Sequence, residues 1–346
     1  MKVDIIIPTY KPDEPFCLLL RKLRGQTFPV HRVILLNTEE AYWREAVRRY
    51  PIEEALRRLP CPYMLTHIQK EAFDHGGTRM QAALESRADV MVFMTQDAVP
   101  ADARLLERLL QPFGSMEQWK AVPEGGMRRA EETSSAAGES PYEVAVAYAR
   151  QLPRKDCSVT ERCVRQYNYP NGERAKTKED LGELGIKTFF CSDVCAAYRR
   201  DIFMALGGFE SPAIFNEDMI FAAKAIEGGY AVWYAAGARV VHSHNYTAGQ
   251  QFKRNFDLAV SQQDHPRIFK RVSSGAEGKK MVLAIVKYLC RTGRLRLLPG
   301  FVWQCAGKYA GYCAGRNYRK LTRKQILRFT MSPDYWRKLW GSDKEG

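Results

Sequence analysis

Four short stretches hold side chains able to do chemistry together. Asp97 follows an apolar run, 90–95, and precedes Ala98-Val99-Pro100. A carboxylate at the carboxyl end of a buried strand can hold a divalent cation, and Mg²⁺ needs only one or two such ligands when phosphate oxygens complete its shell. His242-Ser243-His244 also ends a strand-like run, and neutral imidazoles either ligate metals or line polar crevices. Glu217-Asp218 opens a helix-like stretch after Asn216. Acids are favoured there by the helix dipole, and a positioned carboxylate can also take a proton from an attacking hydroxyl. His75-Gly76-Gly77-Thr78-Arg79 is a glycine-rich helix entry. Its backbone N–H groups and Arg79 suit an anion such as a diphosphate.

Positioning these groups requires an ordered scaffold, and the first 110 residues alternate strand and helix patterns. β-Branched or apolar runs at 3–7, 33–37, 63–67 and 90–95 read as strands. Helices are expected at 15–25, 40–58, 76–87 and 101–110. Strands separated by such helices imply parallel βαβ units, with helices covering the sheet. Ligands then collect beyond the carboxyl ends of the strands, at Pro8-Thr9-Tyr10, Asn37-Thr38 and Thr95-Gln96-Asp97. Residues 114–143, rich in Gly, Glu, Ser and Ala, read as a peripheral excursion. Strands are expected again at 144–149, 231–234 and 238–241, helices at 199–206 and 217–227, and a polar loop at 167–183. The run 188–191 is expected to resume the core, and everything after about 250 reads as helical.

The chain has 346 residues, 45% hydrophobic and 27% charged, the composition of a folded globular protein. Its net charge of +14 is concentrated at the end. Residues 279–346 carry 16 Lys or Arg against Asp334, Asp343 and Glu345, leaving the first 278 residues near neutral. The same tail contains Trp303, Tyr309, Trp336 and Trp340 among its aromatics. Mixed basic and aromatic residues suit an anionic membrane surface, a helical subdomain packed through its aromatics, or single-stranded nucleic acid. No apolar stretch approaches the ~18–20 residues needed to cross a bilayer. Met1-Lys2-Val3-Asp4, followed by Pro8, does not read as a cleaved signal. The nine cysteines form no Cys-x-x-Cys pair, so they read as reduced thiols rather than a zinc site.

The order of these motifs along the chain resembles the family 2 glycosyltransferases, and within them the rhamnosyltransferase-like branch. The stretches that carry the resemblance are Ile5-Ile6-Ile7-Pro8-Thr9-Tyr10, residues 75–79, Phe93-Met94-Thr95-Gln96-Asp97-Ala98, Arg150-Gln151-Leu152-Pro153, Tyr167-Asn168-Tyr169-Pro170, residues 189–199, Asn216-Glu217-Asp218-Met219 and residues 242–247. The resemblance implies an α/β, GT-A (Rossmann-like) fold: a mostly parallel central sheet flanked by helices, with the catalytic domain at 1–260 and a basic helical C-terminal extension at 261–346.

It implies an inverting, metal-dependent transfer of a sugar, L-rhamnose from dTDP-L-rhamnose, to a lipid-linked or polysaccharide acceptor in cell-surface glycan synthesis; the basic aromatic tail suggests a peripheral enzyme at the cytoplasmic face of the membrane. Pro8, Thr9, Tyr10, Asn37, Arg79 and Gln96 would line the nucleotide-sugar pocket. Asp97 with His242 or His244 would bind Mg²⁺ or Mn²⁺. Asp218 would be the base with Glu217 beside it, and Arg150, Gln151, Ser192 and Asp193 would face the sugar or acceptor. Two departures are visible. Thr95-Gln96-Asp97 has one carboxylate where the family motif Asp-x-Asp has two, and Asn37 stands where many relatives carry Asp. A UDP-hexose donor is the near alternative. A nucleotidyltransferase would want a Gly-rich basic loop after the first strand, which Pro8-Thr9-Tyr10-Lys11 is not. A nucleic-acid-binding protein accounts for the charge but not for the crevice motifs.

Overall fold

A computed structural model describes residues 1–119, 142–270 and 274–342. Its strands are β1 (Val3–Tyr10), β2 (Arg32–Thr38), β3 (Tyr63–Ile68), β4 (Val90–Met94), β5 (Val99–Pro100), β6 (Val144–Leu152), β7 (Arg174–Lys176), β8 (Cys195–Arg199) and β9 (Ala231–Val241). They form one sheet in the order β3-β2-β1-β4-β8-β6-β9-β5, with β7 also on β9. Val3, Ile5 and Ile7 pack into the core on one face of the sheet. Ile6, with Ile34 and Leu36, packs into the core on the other. Burial on both faces is why these strands read as unbroken apolar runs rather than alternating ones.

β1 pairs in parallel with both β2 and β4, and β2 with β3. The strand order therefore reverses direction across β1 and β4, which opens a crevice at their carboxyl ends. Beyond β4 the sheet becomes mixed. β8 runs antiparallel to β4 and β6, while β6 and β9 are parallel. β8 is wholly buried and escaped the sequence pattern, because Cys195-Ala196-Ala197 lacks the β-branched residues that mark strands.

Other boundaries shift for identifiable reasons. The long helix expected at 40–58 is two, Glu40–Arg49 and Ile52–Arg57, divided at Pro51, whose ring excludes it from a helix interior. The two strands expected near 231–241 are one, carrying an irregularity opposite Ala149/Arg150 of β6. The stretch 167–183, expected as a loop, contains the end of helix Val159–Asn168, β7 and short helical turns. The run 188–191 is led by a tight helical turn, Gly185–Phe189. Residues 120–141, most of the expected excursion, lie outside the described residues.

The C-terminal extension is fused to the body. The boundary expected at 260 falls inside helix Ala248–Asp264, which lies along helix Leu298–Arg316. Gly307, Gly311 and Gly315 recur every fourth residue, so they share one face. A Cβ on Gly307 would stand 2.6 Å from the Ala248 carbonyl oxygen. On Gly311 and Gly315 it would overlap the Phe252 and Phe256 carbonyls outright. The two backbones can lie this close only because those side chains are absent. Phe256 and Val260 then join Ile214, Ile326 and Trp336 in a core shared by both parts of the chain. Among the described residues, no helix is long and apolar enough to cross a membrane.

Candidate active site

At the carboxyl ends of β4 and β9, Asp97, His242 and His244 bring three ligand atoms within 4.8 Å of one another. Asp97 Oδ2 lies 3.5 Å from His242 Nε2 and 3.3 Å from His244 Nε2. The two Nε2 atoms face each other at 3.1 Å. Burial holds the His242 imidazole neutral, with its pKa down at about 3, and lowers that of His244 as well. His242 Nδ1 donates to the Gln151 amide oxygen at 3.1 Å, which leaves the Nε2 lone pair facing Asp97. Two neutral imidazole nitrogens and a carboxylate oxygen, one imidazole oriented from behind, form a donor set that fits a divalent transition metal.

Gln151 links this triad to a second group of acids. Its Nε2 donates to the Tyr169 hydroxyl at 2.6 Å and to Ser192 Oγ at 2.9 Å. Next to Ser192, the Asp193 backbone N–H donates to Asp218 Oδ2 at 3.2 Å. Asn216, held in a left-handed conformation (φ 64°), precedes helix Glu217–Glu227. Glu217 lies buried against Arg79, Oε1 to Nη1 3.2 Å, whereas Asp218 remains partly exposed. Asp193, buried and hydrogen-bonded by Tyr198, approaches the Arg79 Nε at 3.3 Å. Two carboxylates therefore flank one guanidinium, with Asp218 near enough to feel its charge. Burial, and then the charge of Glu217, push the Asp218 pKa up to about 7; burial drives Asp193 well above the usual carboxylate range. An acid titrating near neutrality is matched to a general base.

Helix His75–Glu85 delivers Arg79. Asp74 caps it by accepting from the Gly77 N–H at 2.6 Å. A Cβ on Gly76 would overlap the Glu210 carbonyl, so the glycine pair serves close packing of the first turn.

The other end of the crevice is built at β1 and β2. Gln96 clips the Tyr10 backbone in both directions, accepting from its N–H at 2.8 Å and donating to its carbonyl at 3.0 Å. Tyr10 is exposed, edge-on to Tyr42, and Pro8 is half-buried at the same strand end. Among the described residues, the non-glycine residues with left-handed φ are Lys11, Glu39 and Asn216. Each stands where the chain turns at this crevice, the kind of place where backbone strain is retained for function.

Five expected residues stand differently from their sequence-based roles. Arg79 is sunk among Asp193 and Glu217 instead of pointing at a free anion site. Asn37 is fully buried, donating to the Glu39 carbonyl and His67 and accepting from Thr9; it braces the β1 and β2 ends from behind. Gln151 has both amide hydrogens and its oxygen engaged, the latter also by Arg165, so it positions His242 instead of facing an acceptor. Asp193 lies beneath the crevice floor, tied to Tyr198 and Arg79. Arg150 projects elsewhere, into an open pocket with Arg108, Glu173 and Arg239, because adjacent strand residues face opposite sides. Asp97, His242, His244, Ser192, Glu217 and Asp218 do converge through the Gln151 and Asp193 links. Arg165 and Tyr169, which complete that network, went unassigned in the sequence; Tyr169 lay within a quoted motif, but no spacing revealed Arg165.

No family model matches the chain. It is 32% identical over 348 residues to the O-antigen chain rhamnosyltransferase RfbN of Salmonella typhimurium (strain LT2), covering 100% of this chain and 99% of that protein. It is 34% identical over 281 residues to the O-antigen chain rhamnosyltransferase WbaN of Salmonella anatum, covering 80% and 81%. Among solved structures, the mannosyltransferase PcManGT from Pyrobaculum calidifontis, in complex with GDP-Man and Mn²⁺, superposes with a TM-score of 0.52 at 16% identity, over 91% of this chain and 86% of that one. S. aureus TarS 1–349 superposes with a TM-score of 0.50 at 13% identity, over 92% of both. The fold is thus that of GT-A-like glycosyltransferases, and full-length similarity at this identity makes the chain a member of the O-antigen rhamnosyltransferase family, a glycosyltransferase of cell-surface glycan synthesis.

Proposed function

We propose that the protein transfers L-rhamnose from dTDP-L-rhamnose, with inversion, to a hydroxyl of a lipid-linked or polysaccharide glycan. The supporting observation is the continuous chain of contacts from Asp97 through His242, Gln151 and Ser192-Asp193 to Asp218. It joins a metal-type donor set to a carboxylate tuned near pH 7. Both relatives are named as rhamnosyltransferases acting on O-antigen chains.

Asp97, His242 and His244 would hold a divalent cation, Mn²⁺ or Mg²⁺, and two imidazole donors would suit Mn²⁺ better than the harder Mg²⁺. When bound, such an ion supplies Lewis-acid stabilisation of charge on a departing diphosphate. Gln151 keeps His242 in the tautomer whose Nε2 lone pair faces the crevice. Asp218, partly open to the crevice, accepts the proton of the acceptor hydroxyl. Glu217 is tied to Arg79, and Asp193 is buried against Arg79 and Tyr198. Neither is free to attack the sugar, which supports a single displacement with inversion. Arg79 acts by holding these acids in place.

The partner surface is the cytoplasmic leaflet. Leu283, Tyr288, Leu295, Val302, Trp303 and Tyr309 are exposed large hydrophobics on helices Ser274–Arg291 and Leu298–Arg316 and the turn between them. Lys279, Lys280, Lys287, Arg291, Arg294 and Arg296 lie in the same stretch. The inner aromatics Phe301 and Trp336 are buried, so packing and surface contact divide the tail's aromatics between them.

A donor screen tests the reading: nucleotide sugars with Mn²⁺ or Mg²⁺, assayed for transfer and for protection against heat unfolding. The anomeric configuration of the product reports inversion. Protection and turnover with dTDP-L-rhamnose are expected, and selective use of a different sugar nucleotide refutes the donor assignment. Flotation on anionic vesicles tests the surface: Trp303→Ala with Tyr309→Ala should reduce binding, and unchanged flotation refutes it.

A further inference from the structure

Tyr10, whose backbone Gln96 clips, lines a cavity of about 350 Å³, within the ~300–1,000 Å³ typical of small-ligand sites. One side is formed by Tyr10 and Thr38, at the carboxyl ends of β1 and β2, with Phe73 and His75 at the helix entry. The opposite side comes from residues 331–335, near the end of the chain. Those residues belong to the extension that the sequence marks out only as basic and aromatic.

We propose that the turn at residues 331–335 is the outer wall of the donor's nucleoside pocket and that Tyr335 and Ser332 select the base. This deepens the reading given under Proposed function and rests on it.

The wall is built, not draped. Asp257, on helix Ala248–Asp264, accepts from Thr330 Oγ1 at 2.6 Å and from the Met331 N–H at 2.8 Å. Asp334 Oδ2 pairs with Lys70 Nζ at 2.8 Å, beside the inner wall. Trp336, the next residue after Tyr335, is buried in the core that also holds Phe256 and Val260. The turn is therefore fixed at both ends and on its outer side.

Its inward chemistry suits a planar heterocycle. Tyr10, Phe73 and Tyr335 offer aromatic faces around the cavity, and every base has a π-face for such contacts. Among the described residues, no hydrogen-bond partner is found for the Tyr335 hydroxyl or Ser332 Oγ. Burial pushes the Tyr335 pKa up to about 12, so the phenol stays a donor at working pH. A hydroxyl pair that can donate and accept reads the edge of a base, and a site built to hydrogen-bond its ligand rejects analogues that leave those groups unpaired. Gln96, the residue before Asp97, holds the Tyr10 backbone at the cavity's edge, so a nucleoside seated there would extend its diphosphate toward the metal donors.

The test uses the full chain and the variants Tyr335→Phe, Tyr335→Ala and Ser332→Ala. Binding of dTDP, UDP and GDP with Mn²⁺ is measured by calorimetry, and donor KM and kcat by transfer assay. Wild type should prefer one nucleotide. Tyr335→Phe and Ser332→Ala should narrow that preference severalfold at an unchanged melting temperature. Tyr335→Ala should raise donor KM about tenfold with kcat nearly unchanged. Wild-type affinities and preference in Tyr335→Phe and Ser332→Ala overturn the proposal alone. Failure of wild type to bind any of the three nucleotides overturns the donor reading and the proposal with it.

Discussion

Replacing Glu217 by Gln should move the acidic limb of the rate profile to lower pH. Asp218 must be charged to accept a proton, and its pKa stands at about 7 because the crevice strips most of its water and because Glu217 repels its charge. A single carboxylate titrating there is charged in about nine-tenths of molecules at pH 8 and about one-tenth at pH 6. Wild-type kcat/KM should therefore drop roughly tenfold between these pH values. Glu217→Gln removes the repulsion. It also frees Arg79, whose guanidinium now pairs with Glu217 at 3.2 Å, to favour the Asp218 carboxylate. Both changes lower the pKa, so the ratio of activity at pH 6 to that at pH 8 should rise toward one. The assay is initial-rate transfer across pH 5.5–8.5 at saturating Mn²⁺, with melting temperature as the folding control. A ratio that stays near one-tenth, or falls, in a folded Glu217→Gln protein refutes the role assigned to this acid cluster. Asp218→Asn should abolish the limb and lose ~10²–10⁴ in turnover.

Gln151→Leu should weaken Mn²⁺ binding about 10- to 100-fold by removing the acceptor on His242 Nδ1; equal Mn²⁺ affinity in a titration monitored by manganese EPR contradicts it. Gly311→Ala should destabilise the fold by about 1–3 kcal/mol, since its Cβ overlaps the Phe252 carbonyl; an unchanged denaturation midpoint says the two helices can separate freely. Asp257 has its pKa pushed up to about 7, chiefly by burial. Because the folded value exceeds the unfolded one, its contribution to stability is full below the unfolded pKa and is lost as pH rises through about 7. Asp257→Asn should therefore flatten the fall in melting temperature between pH 5 and 8, and an identical slope refutes the assignment.

The half of the fold that was legible in the sequence is the half where one signal sufficed. β1, β2 and β4 are apolar on both faces, and Pro8, Asn37 and Asp97 mark or closely follow their ends. β8 is Ala- and Cys-rich and carries no such signal. At the site, residue type and chain order pointed to Asp97, His242, His244 and Asp218, because each follows or opens a regular element. They could not tell which neighbours face the crevice. Gln151 and Arg150 are adjacent, yet strand alternation sends one to His242 and the other to a separate pocket. Arg79 and Asp193 turn inward because each is the other's neighbour across long sequence separation, which no local pattern encodes. The wall at 331–335 was hidden for a different reason: its place depends on the glycine face of helix Leu298–Arg316, whose meaning emerges only beside its partner.

The glycine seam also bears on how such enzymes diversify. Where three glycines press directly on the carbonyls of helix Ala248–Asp264, neither helix of the seam can be exchanged alone. A chimera cut at the visible change in charge, near 279, would mate mismatched surfaces and leave the pocket beside Tyr10 without its far side. A graft point that spares the seam lies earlier, between the end of β9 and Thr247, the residue that caps helix Ala248–Asp264. A graft made there carries both halves of the seam, so residues 247–346 can be exchanged as a single unit.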